Sequence, residues 1–157
     1  VARVLLRLLP EDAFDAVVFL DDSSDERLIL ERSNNGLVIP LAHSGLAPSR
    51  RFTFYDHIHT TGMDIPQPAG CIGMLTLGKD TTFRDYAQSA FRLRGLGGTQ
   101  RQKLSLITTT QVSHQILGDH QPSPIGQQDL LLKVLARYVL DESSTCYESS
   151  VVLSGYA

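Results

Sequence analysis

The stretch Cys71 to Thr108, CIGMLTLGKDTTFRDYAQSAFRLRGLGGTQRQKLSLIT, decides the fold class. Cys71 to Leu77 is a short apolar run of strand length. From Thr82 to Arg94 the residues Phe83, Tyr86, Ala87, Ala90 and Phe91 recur at helical spacing, which predicts a helix with those five on its inner face. Leu104 to Thr108 returns to a strand. Strands alternating with helices in this way predict an α/β fold of three layers around a mostly parallel sheet of about five strands.

The flanks extend that pattern. Val1, Val4, Leu5 and Leu8 share helical spacing opposite Arg3 and Arg7, predicting an amphipathic helix that ends near Pro10. Ala16 to Asp21, AVVFLD, suits a buried strand. Ser23 followed by Glu26 has the spacing of a capping box, which predicts a helix through Leu28, Ile29 and Leu30 that stops at Ser33-Asn34-Asn35-Gly36. Leu37 to Leu41 reads as a strand whose Pro40 pushes it to a sheet edge or a bulge, and Arg51 to Tyr55, RFTFY, alternates as another. Only Ala42 to Arg50 lies between these two strands, too few residues for a standard parallel crossover, so an antiparallel pair or a lost helix is expected. Further on, Gln111 to Leu117 predicts a short helix closed by Gly118, and Gln127 to Leu140 a longer one. The whole chain, 1–157, reads as one domain with residues 119–157 as a C-terminal helical extension, and its first residue, Val1, reads as an excerpt of a larger protein.

Composition narrows the function. With 157 residues, 42% hydrophobic and 20% charged, the chain can bury a core without staples. No apolar run approaches ~18 residues and no leader pattern opens it, so no membrane span is expected and a cytoplasmic or nuclear address follows. A net charge of −3 does not support nucleic-acid binding, which needs clustered cations. Those charges are unevenly spread. Eight acids and the single base Arg27 fall between Glu11 and Glu31, whereas Arg84 to Lys103 holds five bases and only Asp85.

Two clusters follow strands: His59-Thr60-Thr61-Gly62-Met63-Asp64, and Gln88 to Gly97 with Arg92 and Arg94. In open α/β sheets ligands bind outside the carboxyl ends of the strands, where both clusters would lie. A loop glycine lets backbone approach a phosphate or ribose, a carboxylate accepts from a ribose hydroxyl, and arginines present planar, permanent charge to phosphoryl oxygens. The pair resembles motifs V and VI of the second RecA-like (P-loop NTPase-like) lobe of superfamily-two helicases, a T-x-G-x-D loop before a Q-x-x-x-R helix. That resemblance implies that Thr61, Gly62, Asp64 and Gln88 contact the nucleotide and that Arg92 is the first arginine of motif VI. Arg94 is the departure, because the helicase pattern has its second arginine where this chain has Gly95. If the helix runs through Arg94, the two arginines point apart by about 200°; Arg94 joins Arg92 only if the helix ends early.

Across most of its length, notably RFTFYDHIHTTGMDIPQ, LTLGKDTTFRDYAQSAFRLRGLGGTQ and ILGDHQPSPIGQQDLLLKVLARYVL, the chain also resembles the C-terminal block of very large eukaryotic helicase-like proteins of uncharacterised function, often labelled ubiquitinyl hydrolase. The resemblances imply a lobe that is inactive alone and completes an ATP and Mg site with a missing first lobe of the same parent protein. The alternative is a catalytically dead RecA-like scaffold or protein-interaction module, within a ubiquitinyl hydrolase-like protein. No G-x-x-x-x-G-K-[ST] loop is present, and His57 stands in Asp56-His57-Ile58-His59 where a Walker B glutamate would be. Gly95-Leu96-Gly97-Gly98 ends a helix, so it reads as a C-cap turn. Asp56, His57 and His59 offer no third convergent partner of zinc-site type, so no metal site is expected. His43, His114 and His120 read as solvated loop residues. Neither Cys71, at a strand entry, nor Cys146, in a polar tail, sits in a nucleophile motif.

Overall fold

A computed structural model describes residues 1–33, 36–56, 64–117 and 151–154. The helix predicted at 127–140, Gly118, His120 and Cys146 lie outside that range.

Ala16–Leu20 forms β1, with Val17 and Val18 fully buried, each contributing about 1.5–3 kcal/mol through burial. The following segment is not a helix. Asp21 accepts hydrogen bonds from the Ser23 hydroxyl (2.6 Å) and from the Ser24 hydroxyl (2.9 Å) and backbone (3.2 Å), and Asp25 takes a left-handed φ of 55°. The chain therefore reverses, and β2 (Arg27–Glu31) pairs antiparallel with β1, Ala16 opposite Glu31 and Leu20 opposite Arg27. Ser23, expected to cap a helix, serves a hairpin turn together with Ser24, because short polar side chains hydrogen-bond within a turn as readily as at a helix start. β3 (Val38–Pro40) pairs antiparallel with β2 and is the edge strand that Pro40 demands.

Two single 3-10 turns then lead into β4 (Arg51–Tyr55), which pairs with β1, in parallel, and not with β3. The β2–β3 excursion is the crossover, which explains how so short a stretch before β4 suffices. β5 (Ile72–Leu77) and β6 (Lys103–Thr108) form a second parallel pair joined by α2 (Phe83–Ala90). β7 (Val151–Ser154) runs antiparallel to both β4 and β5 and unites the four-stranded group with the parallel pair. Among the described residues the sheet order is β3-β2-β1-β4-β7-β5-β6. The α/β class holds. The sheet is mixed where a mostly parallel one of about five strands was expected: four of six pairings are antiparallel, two from the tight reversals around β2 and two from β7. A strand at Val151–Ser154 also departs from a purely helical C-terminal extension.

Alternation along the strands divides the core between two faces. Ala16, Val18, Leu20, Ile29, Tyr55, Leu75 and Leu77 pack with Tyr86 and Ala90 of α2. Val17, Leu30 and Phe52 pack with Leu6 of α1 (Ala2–Leu8), and Phe14 meets Phe52 edge to face at 5.5 Å. Helix α1 ends near Pro10 as its sequence requires, but its inner face is Ala2, Leu5, Leu6 and Leu9, leaving Val1, Val4 and Leu8 exposed. Apolar residues take up most of its circumference, so packing, not periodicity, selects the stripe. α3 (Thr110–Leu117) follows β6 as expected, and its Val112 is buried.

Candidate functional site

Helix α2 starts where its sequence says it should. The Thr82 hydroxyl accepts from the Asp85 N–H (3.2 Å) while the Asp85 carboxylate accepts from the Thr82 N–H (3.0 Å), a reciprocal capping box. Its end comes earlier than predicted, at Ala90 instead of Arg94. Arg92 N–H bonds the Ser89 carbonyl (3.2 Å) and Leu93 N–H the Ala90 carbonyl (3.0 Å), so the chain leaves the helix through tight three-residue turns. The buried face is consequently Tyr86, Ser89, Ala90 and Leu93, whereas Phe83 and Phe91, expected inside, are exposed at the two ends of the helix.

That early ending decides the placement of the arginines. Arg94 swings to Asp64 and donates from Nε to Oδ2 at 2.9 Å, with the two side chains 60% and 43% exposed. Arg92 is buried, and its Nε makes a long bond of 3.4 Å back to the Gln88 carbonyl. Helical spacing favours Arg92 as the residue facing Asp64; the carboxylate is instead met by Arg94, the alternative that required an early helix end. Gln88 is half-buried on α2, and Asp85 is held within the capping box. Thr61 and Gly62, with His57 and His59, lie outside the described residues. Among the described residues no group of three or more His, Cys, Asp or Glu is placed to hold a metal ion.

Three residues that the sequence did not single out build this corner. Tyr55, the last residue of β4, is fully buried, and its hydroxyl accepts from the Ile65 N–H at 2.8 Å, fixing the chain next to Asp64. Burial pushes the Tyr55 phenol up to about 12; the Asp64 charge pushes it the same way, while the Ile65 N–H and Arg92 oppose. The phenol is thus neutral at ordinary pH. Gln67 donates to the Ile65 carbonyl (2.8 Å) and to the Thr53 hydroxyl (3.1 Å). Gln102, 5% exposed, donates to the Pro68 carbonyl (3.1 Å) and accepts from the Gly95 N–H (2.7 Å), clamping the segment after Asp64 to the turn after Arg94. The signal available beforehand was slight: polar glutamines flanking strands, a tyrosine at a strand end.

Gly95 belongs to a C-terminal turn, as read from its place after the helix. A Cβ there would lie 2.5 Å from Gln100 Cβ and 3.0 Å from Gln102 Cδ, so the turn and the entry to β6 touch through a glycine because nothing larger fits. Cys71 is fully buried, and desolvation raises its thiol pKa, the opposite of what a nucleophile requires. His43 and His114 are exposed, as expected, but they lie in a 3-10 turn and on α3, not in loops. Among the described residues no helix is long and apolar enough to cross a membrane. Compared with known proteins, the chain matches no family model, no curated protein and no solved structure.

Proposed function

We propose that the chain is the second, motif V/VI-bearing RecA-like lobe of a helicase-like, nucleotide-dependent protein, inactive alone and completing a site for ATP and Mg with a first lobe carried elsewhere in its parent. The observation that supports this reading is the Asp64–Arg94 ion pair at 2.9 Å, which joins two clusters separated by thirty residues in sequence. In this reading Thr61, Gly62, Asp64 and Gln88 face the ribose and phosphates, and Arg92 and Arg94 stabilise charge on the transferring phosphoryl group. Arg94 is held by Asp64 until phosphate oxygens compete for its guanidinium. Its Nε–carboxylate bond is partly solvated, so the exchange costs little.

The second reading is a RecA-like scaffold that has lost nucleotide chemistry. What favours it is the same pair seen from the other side: Arg94 already has an anionic partner, and Arg92 is 8% exposed. The test is ATP turnover by the full-length parent. Arg92→Lys and Arg94→Lys keep the charge but lose the planar fork, and a catalytic arginine so altered depresses turnover by about a thousandfold or more with folding unchanged. Turnover unaffected in both variants would leave the scaffold.

A further inference from the structure

On the opposite side of the sheet from Asp64 and Arg94, a cleft of about 380 Å³ opens between α1 and the end of β2. Its floor is apolar: Leu6 and Leu30 are 7% and 1% exposed. Its rim is cationic. Arg3 and Arg7 stand one turn apart on α1, and among the described residues neither guanidinium has a hydrogen bond or ion pair.

The other charged groups of the cleft are committed. Arg32 donates from Nε to the Phe14 carbonyl (3.0 Å), from Nη2 to the Leu9 carbonyl (2.7 Å), and pairs through Nη1 with Glu11 at 3.4 Å. Glu31 accepts from the Ser44 hydroxyl at 2.6 Å. The lining thus carries three guanidiniums and two carboxylates, a net charge of +1, and among the described residues Arg3 and Arg7 are its two cations without an ion-pair partner. Gly36 adds a shape argument. Its φ is +72°, and a Cβ there would come within 3.1 Å of Arg3 Nη1, so the glycine leaves room for this guanidinium beside the chain at the mouth of the cleft.

We propose that this cleft binds a small phosphate monoester, its phosphoryl oxygens taken by Arg3 and Arg7 and its apolar body resting on Leu6 and Leu30. The volume falls within the range of small-molecule sites, ~300–1,000 Å³, and suits a ligand of one ring and one phosphoryl group. Two arginines a helical turn apart bracket a phosphate that carries about two negative charges, and the planar guanidinium matches its oxygens in pairs. The anion is the part that pairs both cations; the ring adds contact with the cleft wall only, because Leu6 and Leu30 are already nearly fully buried without it.

The experiment is titration of the 157-residue chain with phenyl phosphate, inorganic phosphate and phenol, followed by calorimetry and by backbone NMR shifts. Phenyl phosphate is expected to bind with a stoichiometry of one, shifting Leu30 and Gly36, and more tightly than either fragment. Arg3→Gln and Arg7→Gln each weaken it by about tenfold, the loss of one charge-assisted contact. Arg3→Lys recovers part of that loss, and because both arginines are exposed these variants keep the wild-type melting temperature. Binding that survives the Arg3→Gln, Arg7→Gln double variant, shifts that fall elsewhere, or equal affinity for phenol would each overturn the proposal.

Discussion

Replacing Gly95 by alanine adds one methyl group where the chain has no room for it. The new carbon would sit 2.5 Å from Gln100 Cβ, which belongs to the stiff part of its side chain, and 3.0 Å from Gln102 Cδ. Relief requires the turn to move away from the start of β6, which forfeits the 2.7 Å bond from the Gly95 N–H to Gln102. Overpacking of this kind costs about 1–3 kcal/mol, and a buried N–H left without its acceptor about 1–3 kcal/mol more. A total of about 2–6 kcal/mol corresponds, for a chain of this length, to a fall in Tm of roughly 4–24 °C. Gly98→Ala is the matched control: its added carbon meets only the Gly95 carbonyl, at 3.7 Å, an ordinary contact. Thermal and urea unfolding followed by circular dichroism measures both. Equal melting of the two variants would refute the close approach at Gly95, and with it the account of how Arg94 is presented to Asp64.

Two further outcomes follow from titratable groups. The Tyr55 phenol has its folded pKa raised to about 12, so the stability it contributes is present below the unfolded value of ~10 and is lost as pH rises through 12. Ultraviolet titration should show this tyrosine ionising last and together with unfolding, and Tyr55→Phe, which strips the Ile65 N–H of its acceptor, should cost about 1–3 kcal/mol at pH 7; an early phenolate signal or an unchanged midpoint contradicts that. Asp15 receives two bonds of 2.8 Å from Arg50, which hold its carboxyl below the usual value. The sign is opposite: its contribution is present above ~4 and is lost as pH falls through the lowered folded value. Asp15→Asn should flatten the acid limb of the stability curve measured in urea, modestly because both partners are 37% exposed, and an unaltered limb would remove the pair from the account.

How much of this was readable in advance depended on where the deciding force was local. Strands β1, β4, β5 and β6, the edge position of β3 and the C-terminal nature of the Gly95 turn follow from short-range pattern and from proline and glycine chemistry. β2 was misread because Ser23 and Glu26 satisfy either a helix start or a hairpin turn, and only pairing with β1 chooses between them. The sequence predicts α2 through Arg94, but the backbone leaves the helix after Ala90 through tight turns that side-chain periodicity does not reveal. In the candidate site, Asp64 and Arg94 were both singled out, but their meeting depends on that early helix end. Tyr55 and Gln102 carry only a slight sign, a tyrosine at a strand end and a glutamine flanking a strand, since what makes them important is a bond to backbone 10 and 34 residues away.

β7 bears on how the protein is made. Its pairing sets Phe52 against Ser154, 102 residues later in the chain, and Ile72 against the same serine. A ribosome that has produced β4 and β5 must therefore go on as far as Ser154 before either strand finds its second neighbour, β7. During that interval the four-stranded group and the parallel pair are both formable, yet each ends in an open edge of apolar sequence, RFTFY on one side and IGMLTL on the other. Open edges of this type pair readily with any strand that reaches them, including those of a neighbouring nascent copy. β7 closes both at once when it emerges, and the chain then exchanges two adhesive margins for one continuous sheet.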